Sequence, residues 1–286
     1  MATKDEPVVL CERVELENCG HEVAIITINR PDRLNCFNEE VCLGLSDIFA
    51  RIADEIDARD SQKNPNQETS TLVAVILTGA GKSFCAGADL SNPPNPLSQS
   101  SDLLCYLRVN PVYQMDRVRI PIIGAVKGHC ITGGFELALA CDFLIGDSTT
   151  KFKDTHVKFG LAPCWGLSQK LQRLVGPNRA KYISLSATSV TATKALEWGL
   201  LNEVVPNGHA LQRSIEIADE IGANQSVMVR RYKRAIKEGG AMSLGHGLQR
   251  ERELGIAHYL EAFNDGSTFE GARDFISDGN RPRSKL

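Results

Sequence analysis

The 286-residue chain has no apolar run long enough to cross a bilayer and no C-x-x-C pair among its nine cysteines. It also lacks a charge excess: 32 Lys and Arg stand against 35 Asp and Glu, a formal net charge of −3. The first absence argues against membrane insertion. The second argues against a zinc ribbon and, with cysteines scattered through apolar segments (Cys42, Cys85, Cys141), against a disulfide framework. Reduced thiols in an intracellular compartment fit better. The third removes the electrostatic reason to expect nucleic acid or an anionic membrane surface as a partner. The opening Met-Ala-Thr-Lys-Asp-Glu-Pro lacks the basic and apolar regions of a signal peptide, and its acids argue against a transit peptide. No fixed-period repeat or low-complexity tract is visible. What is present is ordinary for a soluble globular protein, 42% hydrophobic and 23% charged, at a length that suits one large domain or one domain with an appendage.

Residues 8–17 and 22–29 read as strands separated by the turn residues Asn18 to Gly20. Asn38 can cap a helix through about Ile56, with Val41, Leu45, Ile48, Phe49 and Ile52 at helical spacing. Residues 59–70 are polar and turn-rich, the composition of an exposed loop. Thr71 to Leu77, Pro121 to Val126 and Asp142 to Ile145 are continuous apolar or nearly apolar runs, as expected of strands covered on both faces. A short helix lies between the last two. Alternation of this kind predicts an α/β layer around a mostly parallel sheet. Beyond about residue 166 the pattern is helical, with helices predicted at 166–175, 178–187, 192–198, 208–222, 225–238, 244–263 and 267–277 and one short strand near Asn202 to Val205.

Gly79-Ala80-Gly81-Lys82-Ser83 ends like a phosphate loop, but Ile76 stands where that motif needs its first glycine, and Phe84 stands where a dinucleotide motif needs its last. A tight turn after the Thr71 strand is the better reading. The small residues of Phe84-Cys85-Ala86-Gly87-Ala88-Asp89-Leu90 allow a close backbone approach, either to a ligand or within a packed turn. Gly133-Gly134 opens a helix that runs Glu136-Leu137-Ala138-Leu139-Ala140-Cys141 with no polar face, so the helix should be buried. A carboxylate at its head is costly unless paired or used. A capping box does not explain it, because the residue three places after Thr132 is Phe135. The first amides of a helix can hold an anion, including one that forms only in a transition state, so Glu136 reads as a functional carboxylate beside an anion hole.

Four spaced segments in this order resemble the crotonase (enoyl-CoA hydratase/isomerase) superfamily over nearly the whole chain: Ile28 to Asn35, Val75 to Leu90, Pro121 to Asp142 and Ala192 to Pro206. The resemblance implies an α/β fold, a spiral of ββα units over residues 1–206 with a helical region at 207–286 that serves oligomerisation. It implies a homotrimer or hexamer acting on acyl-CoA thioesters, with no cofactor of its own because coenzyme A enters with the substrate. By the same resemblance the amides of Ala88 and Gly133 form an oxyanion hole for the thioester carbonyl. Ala86, Gly87, Asp89, Leu90 and Ser91, with Arg33 and Leu34, contact the coenzyme A moiety, and Glu136 falls on the first catalytic glutamate of the hydratases.

The chain departs from the family where a second glutamate is expected. Within Phe152-Lys153-Asp154-Thr155-His156-Val157-Lys158-Phe159-Gly160-Leu161-Ala162-Pro163 that position holds His156, and Gly160 and Pro163 argue against a slip onto Asp154. Imidazole can take over acid/base or water-holding work; the other reading is a structural histidine in a lineage of altered activity. Cys164 and Trp165 follow where smaller residues are usual; both are expected at the acyl pocket, with Trp165 either shaping it or packing under the next helix. Cys164 reads as a small apolar residue rather than a nucleophile. The expected reaction is syn-hydration of a trans-2-enoyl-CoA. A decarboxylase, a thioester hydrolase and a non-catalytic acyl-CoA-binding protein are the alternatives that the missing glutamate leaves open. The final Ser284-Lys285-Leu286 matches a peroxisomal address read by an import receptor, on a tail expected to be exposed.

Overall fold

The computed structural model describes residues 6–61, 71–94, 107 and 109–265. Most of the predicted 59–70 loop, the 267–277 helix and the terminal tripeptide lie outside these residues. Two compact units are present, Met1–Arg230 and Arg231–Leu286.

The first unit is built on a six-stranded sheet of β1 (Val9–Glu15), β2 (Glu22–Ile28), β3 (Leu72–Gly79), β4 (Ile122–Val126), β6 (Phe143–Asp147) and β9 (Glu203–Val205), side by side in that order. The β1–β2 pair is antiparallel, a hairpin closed by Asn18 to Gly20, and every other pairing is parallel. A smaller sheet holds β5 (His129–Ile131), β7 (Lys151–Lys153) and β8 (Ser189–Thr191). Successive strands β4 and β5, then β6 and β7, alternate between the two sheets, so each turn of the chain contributes one strand to each. This is the predicted ββα spiral.

Continuous apolar runs became covered strands: every residue of β3 and β4 is buried. One face packs on α1 (Glu39–Ser61), whose predicted stripe of Val41, Leu45, Ile48, Phe49 and Ile52 is wholly buried and extends to Ile56. Asn38 Oδ1 accepts the Val41 amide at 3.1 Å, as the cap reading requires. The other face is covered by α8 (Ala210–Gly222), where Ala210 and Ala218 join Ile123, Ala125 and Ile145. Further α-helices among the described residues of this unit are α2 (Pro111–Arg117), α3 (Gly133–Leu139), α4 (His156–Phe159), α5 (Leu167–Val175), α6 (Pro177–Ser186) and α7 (Ala192–Glu197). The α9 helix (Ser226–Gly240) crosses the unit boundary, and α10 (Leu244–Asp265) lies in the second unit. There Glu238 accepts from Arg250 at 2.6 Å and Arg234 at 2.7 Å, and those two hydrogen bonds hold its carboxyl below the usual range. Among the described residues no helix is long and apolar enough to cross a membrane.

Candidate active site

Two segments leave the carboxyl ends of β3 and β4 and run side by side. Cys85 N donates to the His129 carbonyl at 3.0 Å, and Ile131 N returns a bond to the Cys85 carbonyl at 2.9 Å. This parallel pairing of Cys85 with Cys130 sets Ala88 level with Gly133. On its other side the 85–89 segment pairs with Phe37, which donates to Gly87 O at 2.9 Å and accepts from Asp89 N at 2.8 Å. Those bonds use the groups flanking Ala88. Among the described residues neither the Ala88 amide nor the Gly133 amide has a protein acceptor. Two level, unclaimed donors, one at the first position of a helix, form the geometry of an anion hole.

The approach is too close for side chains. A Cβ on Gly134 would stand 2.2 Å from the Cys85 carbonyl oxygen, and one on Gly133 would stand 2.4 Å from Phe37 Cζ. Thr132, just before them, is held at φ 53° and ψ −110°, a costly conformation for a β-branched residue. Its amide donates to Lys153 O at 2.8 Å, and its hydroxyl oxygen accepts the Thr155 amide at 3.0 Å. The strained residue thus joins the head of α3 to the corner that carries His156.

The 86–91 loop is fixed from within. Asp89 accepts the Ser91 hydroxyl at 2.6 Å and pairs with Arg30 at 3.0 Å; these donors hold its carboxyl down at about 2. Leu34 O accepts the Ala86 amide at 3.0 Å, so Leu34 is joined to this loop through its backbone. Arg33, Leu90 and Ser91 are exposed, while Ala86 is half-buried and Gly87 and Asp89 are buried. Buried Asn35 clamps the preceding turn, donating to Ala80 O at 2.8 Å and Ser83 O at 2.7 Å. The Gly79–Ser83 stretch is therefore the tight turn that the failed phosphate-loop match predicted.

Glu136 is 3% exposed on a helix with every residue buried. Its Oε1 accepts the amides of Trp165 at 2.8 Å and Leu167 at 3.3 Å. Burial is the largest influence on its carboxyl and pushes the pKa above the ordinary value, with the two amides pulling the other way. Its Oε2 lies 3.8 Å from His156 Nε2, beyond hydrogen-bond length but facing it. His156 is 6% exposed, and Asp154 behind it is 2% exposed. Asp154 Oδ1 lies 2.8 Å from His156 Nδ1 and also accepts the His156 amide at 3.1 Å. Burial acts to lower the His156 pKa, but the Asp154 hydrogen bond and the charges of Glu136 and Asp154 outweigh it and leave it raised. Burial likewise acts to raise Asp154, yet hydrogen bonds from His156 and Ser184 hold it below the ordinary carboxylate range.

Trp165 packs on Phe37 with ring centroids 4.9 Å apart and planes tilted by 30°. Its amide binds Glu136 while its ring meets the residue that pairs with Ala88, so Trp165 bridges the two halves of the site. Cys164 is exposed. The structure brings together Ala88, Gly133, Glu136, His156 and Trp165, and sets Leu34 and the 86–91 loop beside the unclaimed Ala88 and Gly133 amides. Sequence reading did not identify Phe37, Thr132, Ser184 or the pairing of Asp154 with His156. For the last a signal existed: an Asp side chain in a turn can accept the amide two residues on, which here is that of His156.

The sequence profile of the enoyl-CoA hydratase/isomerase family matches residues 18–276. A relative from Arabidopsis thaliana, described as a probable peroxisomal enoyl-CoA hydratase, is 40% identical over 96% of this chain and 96% of its own. A short-chain-enoyl-CoA hydratase from Clostridium acetobutylicum is 32% identical, covering 92% of this chain and 93% of the relative. Among solved structures, an enoyl-CoA hydratase from Bacillus anthracis superposes with a TM-score of 0.70 at 30% identity, covering 90% of this chain and 96% of that one.

Proposed function

The chain belongs to the enoyl-CoA hydratase/isomerase family, and from that premise we propose that it is a hydro-lyase adding water across the double bond of a trans-2-enoyl-CoA to give the 3-hydroxyacyl-CoA. The observation that carries this reading is the meeting of Glu136 and His156, 3.8 Å apart, beside the unclaimed Ala88 and Gly133 amides.

The thioester carbonyl oxygen sits between those two amides. Glu136, ionised, holds the water and takes its proton as the oxygen bonds to C3. The π pair of the C2=C3 bond moves toward the thioester, and the negative charge on its oxygen is met by the two amides. Donors placed for a developing oxyanion are each worth about 3 kcal/mol of barrier. His156, protonated, gives its Nε2 proton to C2 on the same face as the water, and the enolate collapses to the thioester. Glu136 is then protonated and His156 neutral. A sub-ångström approach brings them within hydrogen-bonding range, and transfer of that proton from Oε2 to Nε2 restores the starting state. Trp165 and Phe37 wall the acyl side, and the 86–91 loop with Arg33 and Leu34 receives the coenzyme A moiety, which arrives with the substrate and leaves with the product.

The test is loss of enoyl absorbance when the purified protein meets crotonyl-CoA and longer or aromatic enoyl-CoAs. Turnover supports the reading; binding without turnover returns the protein to the scaffold class. We also propose a homo-oligomer, supported by the exposed Leu244, Leu248, Ile256, Tyr259 and Leu260 on α10 and checked by light scattering. A peroxisomal setting is supported by the Arabidopsis relative's description. Import of a tagged chain with and without Ser284-Lys285-Leu286 tests it.

A further inference from the structure

We propose that Asp154 is the positioning residue that keeps a shared proton on His156 rather than on Glu136. This rests on the hydratase reading above and adds what that reading leaves open, namely how the site sorts one proton between two groups that can both hold it.

Glu136 and His156 face each other across 3.8 Å, each almost closed to solvent. Addition of water needs Glu136 as the anion and His156 as the cation. The same number of protons can instead give a neutral carboxylic acid beside a neutral imidazole, and burial favours that uncharged pair. In that state neither group can do its step, because the base is already protonated and the acid has nothing to give.

Asp154 decides between the two arrangements by geometry. Its Oδ1 lies 2.8 Å from Nδ1 and takes the His156 backbone amide at 3.1 Å, so ring and main chain are bound to one oxygen. An ionised carboxylate only accepts, which fixes a proton on Nδ1 and leaves Nε2, the atom facing Glu136, as the nitrogen that exchanges. The fixed negative charge behind the ring stabilises the imidazolium. Asp154 is held ionised in turn by the His156 hydrogen bond first and by the Ser184 side chain of α6 second. The charged groups acting on the ring are Asp154 from its own turn and Glu136 from α3. Asp154 touches no reacting atom; it works chiefly through His156, and the weaker effect of its charge on Glu136 is to raise that carboxyl.

Two measurements on the full-length protein test this. The first is Asp154→Asn, which keeps size and an acceptor oxygen but loses the charge. We expect kcat on crotonyl-CoA to fall on the order of 10²-fold while KM moves by less than about threefold. The alkaline limb of the kcat profile, where the pair loses its proton, should move to lower pH. A merely structural role would lower activity evenly and leave that limb in place. Unchanged kcat or an unmoved limb overturns the proposal.

The second needs neither the variant nor turnover. Nitrogen-15 spectra of the wild-type imidazole near neutral pH, assigned by the signal lost in His156→Gln, should show His156 protonated on both nitrogens, and on raising the pH the proton on Nδ1 should be the one that stays. A neutral imidazole near neutral pH, or a deprotonated form that keeps its proton on Nε2, overturns the proposal. If no enoyl-CoA is hydrated, the functional reading fails by itself, and the spectra still decide what Asp154 does.

Discussion

Glu136 and Asp154 approach the same imidazole from opposite sides, equally buried, and end in opposite conditions. Glu136 sits at the head of an apolar helix with two amides on one oxygen, and burial prevails over them, lifting its pKa. Asp154 sits in a turn where the ring and main chain of His156 and the Ser184 side chain all serve one carboxylate, and those donors prevail over burial. Solvent exposure is nearly the same for both, but burial prevails at Glu136 and the donors prevail at Asp154. That difference leaves one carboxyl raised and the other held low as a fixed charge.

The sharpest way to break this contrast is Glu136→Gln, which removes the exchangeable partner. A fall in kcat of about 10²–10⁴-fold is expected, with a folded protein by circular dichroism; near-normal turnover would sink the mechanism. His156→Ala removes the group that both carboxylates face, and a fall on the order of 10²-fold is expected in the same assay. If that variant turned over normally, the acid would be some other residue.

A subtler change loosens the hold on Glu136 without touching its carboxylate. Gly166 lies between the two donating amides at φ 106°. Gly166→Ala should destabilise the protein by about 1–3 kcal/mol and lower kcat as the amides of Trp165 and Leu167 shift. Thermal unfolding beside a rate measurement checks it, and an unaltered melting curve would contradict the strain argument.

The smallest effect is the most diagnostic. The folded pKa of Glu136 lies above its ordinary 4.5, so its contribution to stability is whole below that value and is lost as pH rises. Asp154 lies below its ordinary 3.8, so its contribution is present above that value and is lost as pH falls. From about pH 3 to pH 6, the stability of wild type minus Glu136→Gln should therefore decline with rising pH, and that of wild type minus Asp154→Asn should grow. Denaturant titrations across this range measure both. Slopes of the same sign would erase the contrast.

Much of this was legible in the sequence. The covered strands announced themselves as apolar runs, α1 by its five-residue stripe, and Glu136 by a charge that its helix could not excuse. The three strands of the smaller sheet were not legible, because each is three residues long and too short to display a period. The α2 helix carried a signal that went unread: Asn110 caps it, accepting the Val112 amide at 3.0 Å, with Pro111 at its first position. Trp165 stacking on Phe37 joins residues far apart in the chain, and local pattern says nothing of such a meeting. His156 stood out only by departing from its family, and Asp154 could be given a task only once the turn around it was seen.

Thr132 grips the neighbouring corner by the main-chain amide of Thr155, not by the side chain at 156. The location of position 156 is thereby inherited from the backbone, whatever residue occupies it. A different side chain at 156 would leave the Ala88 and Gly133 amides and Glu136 where they are, because none of the bonds that hold that frame runs through the side chain at 156.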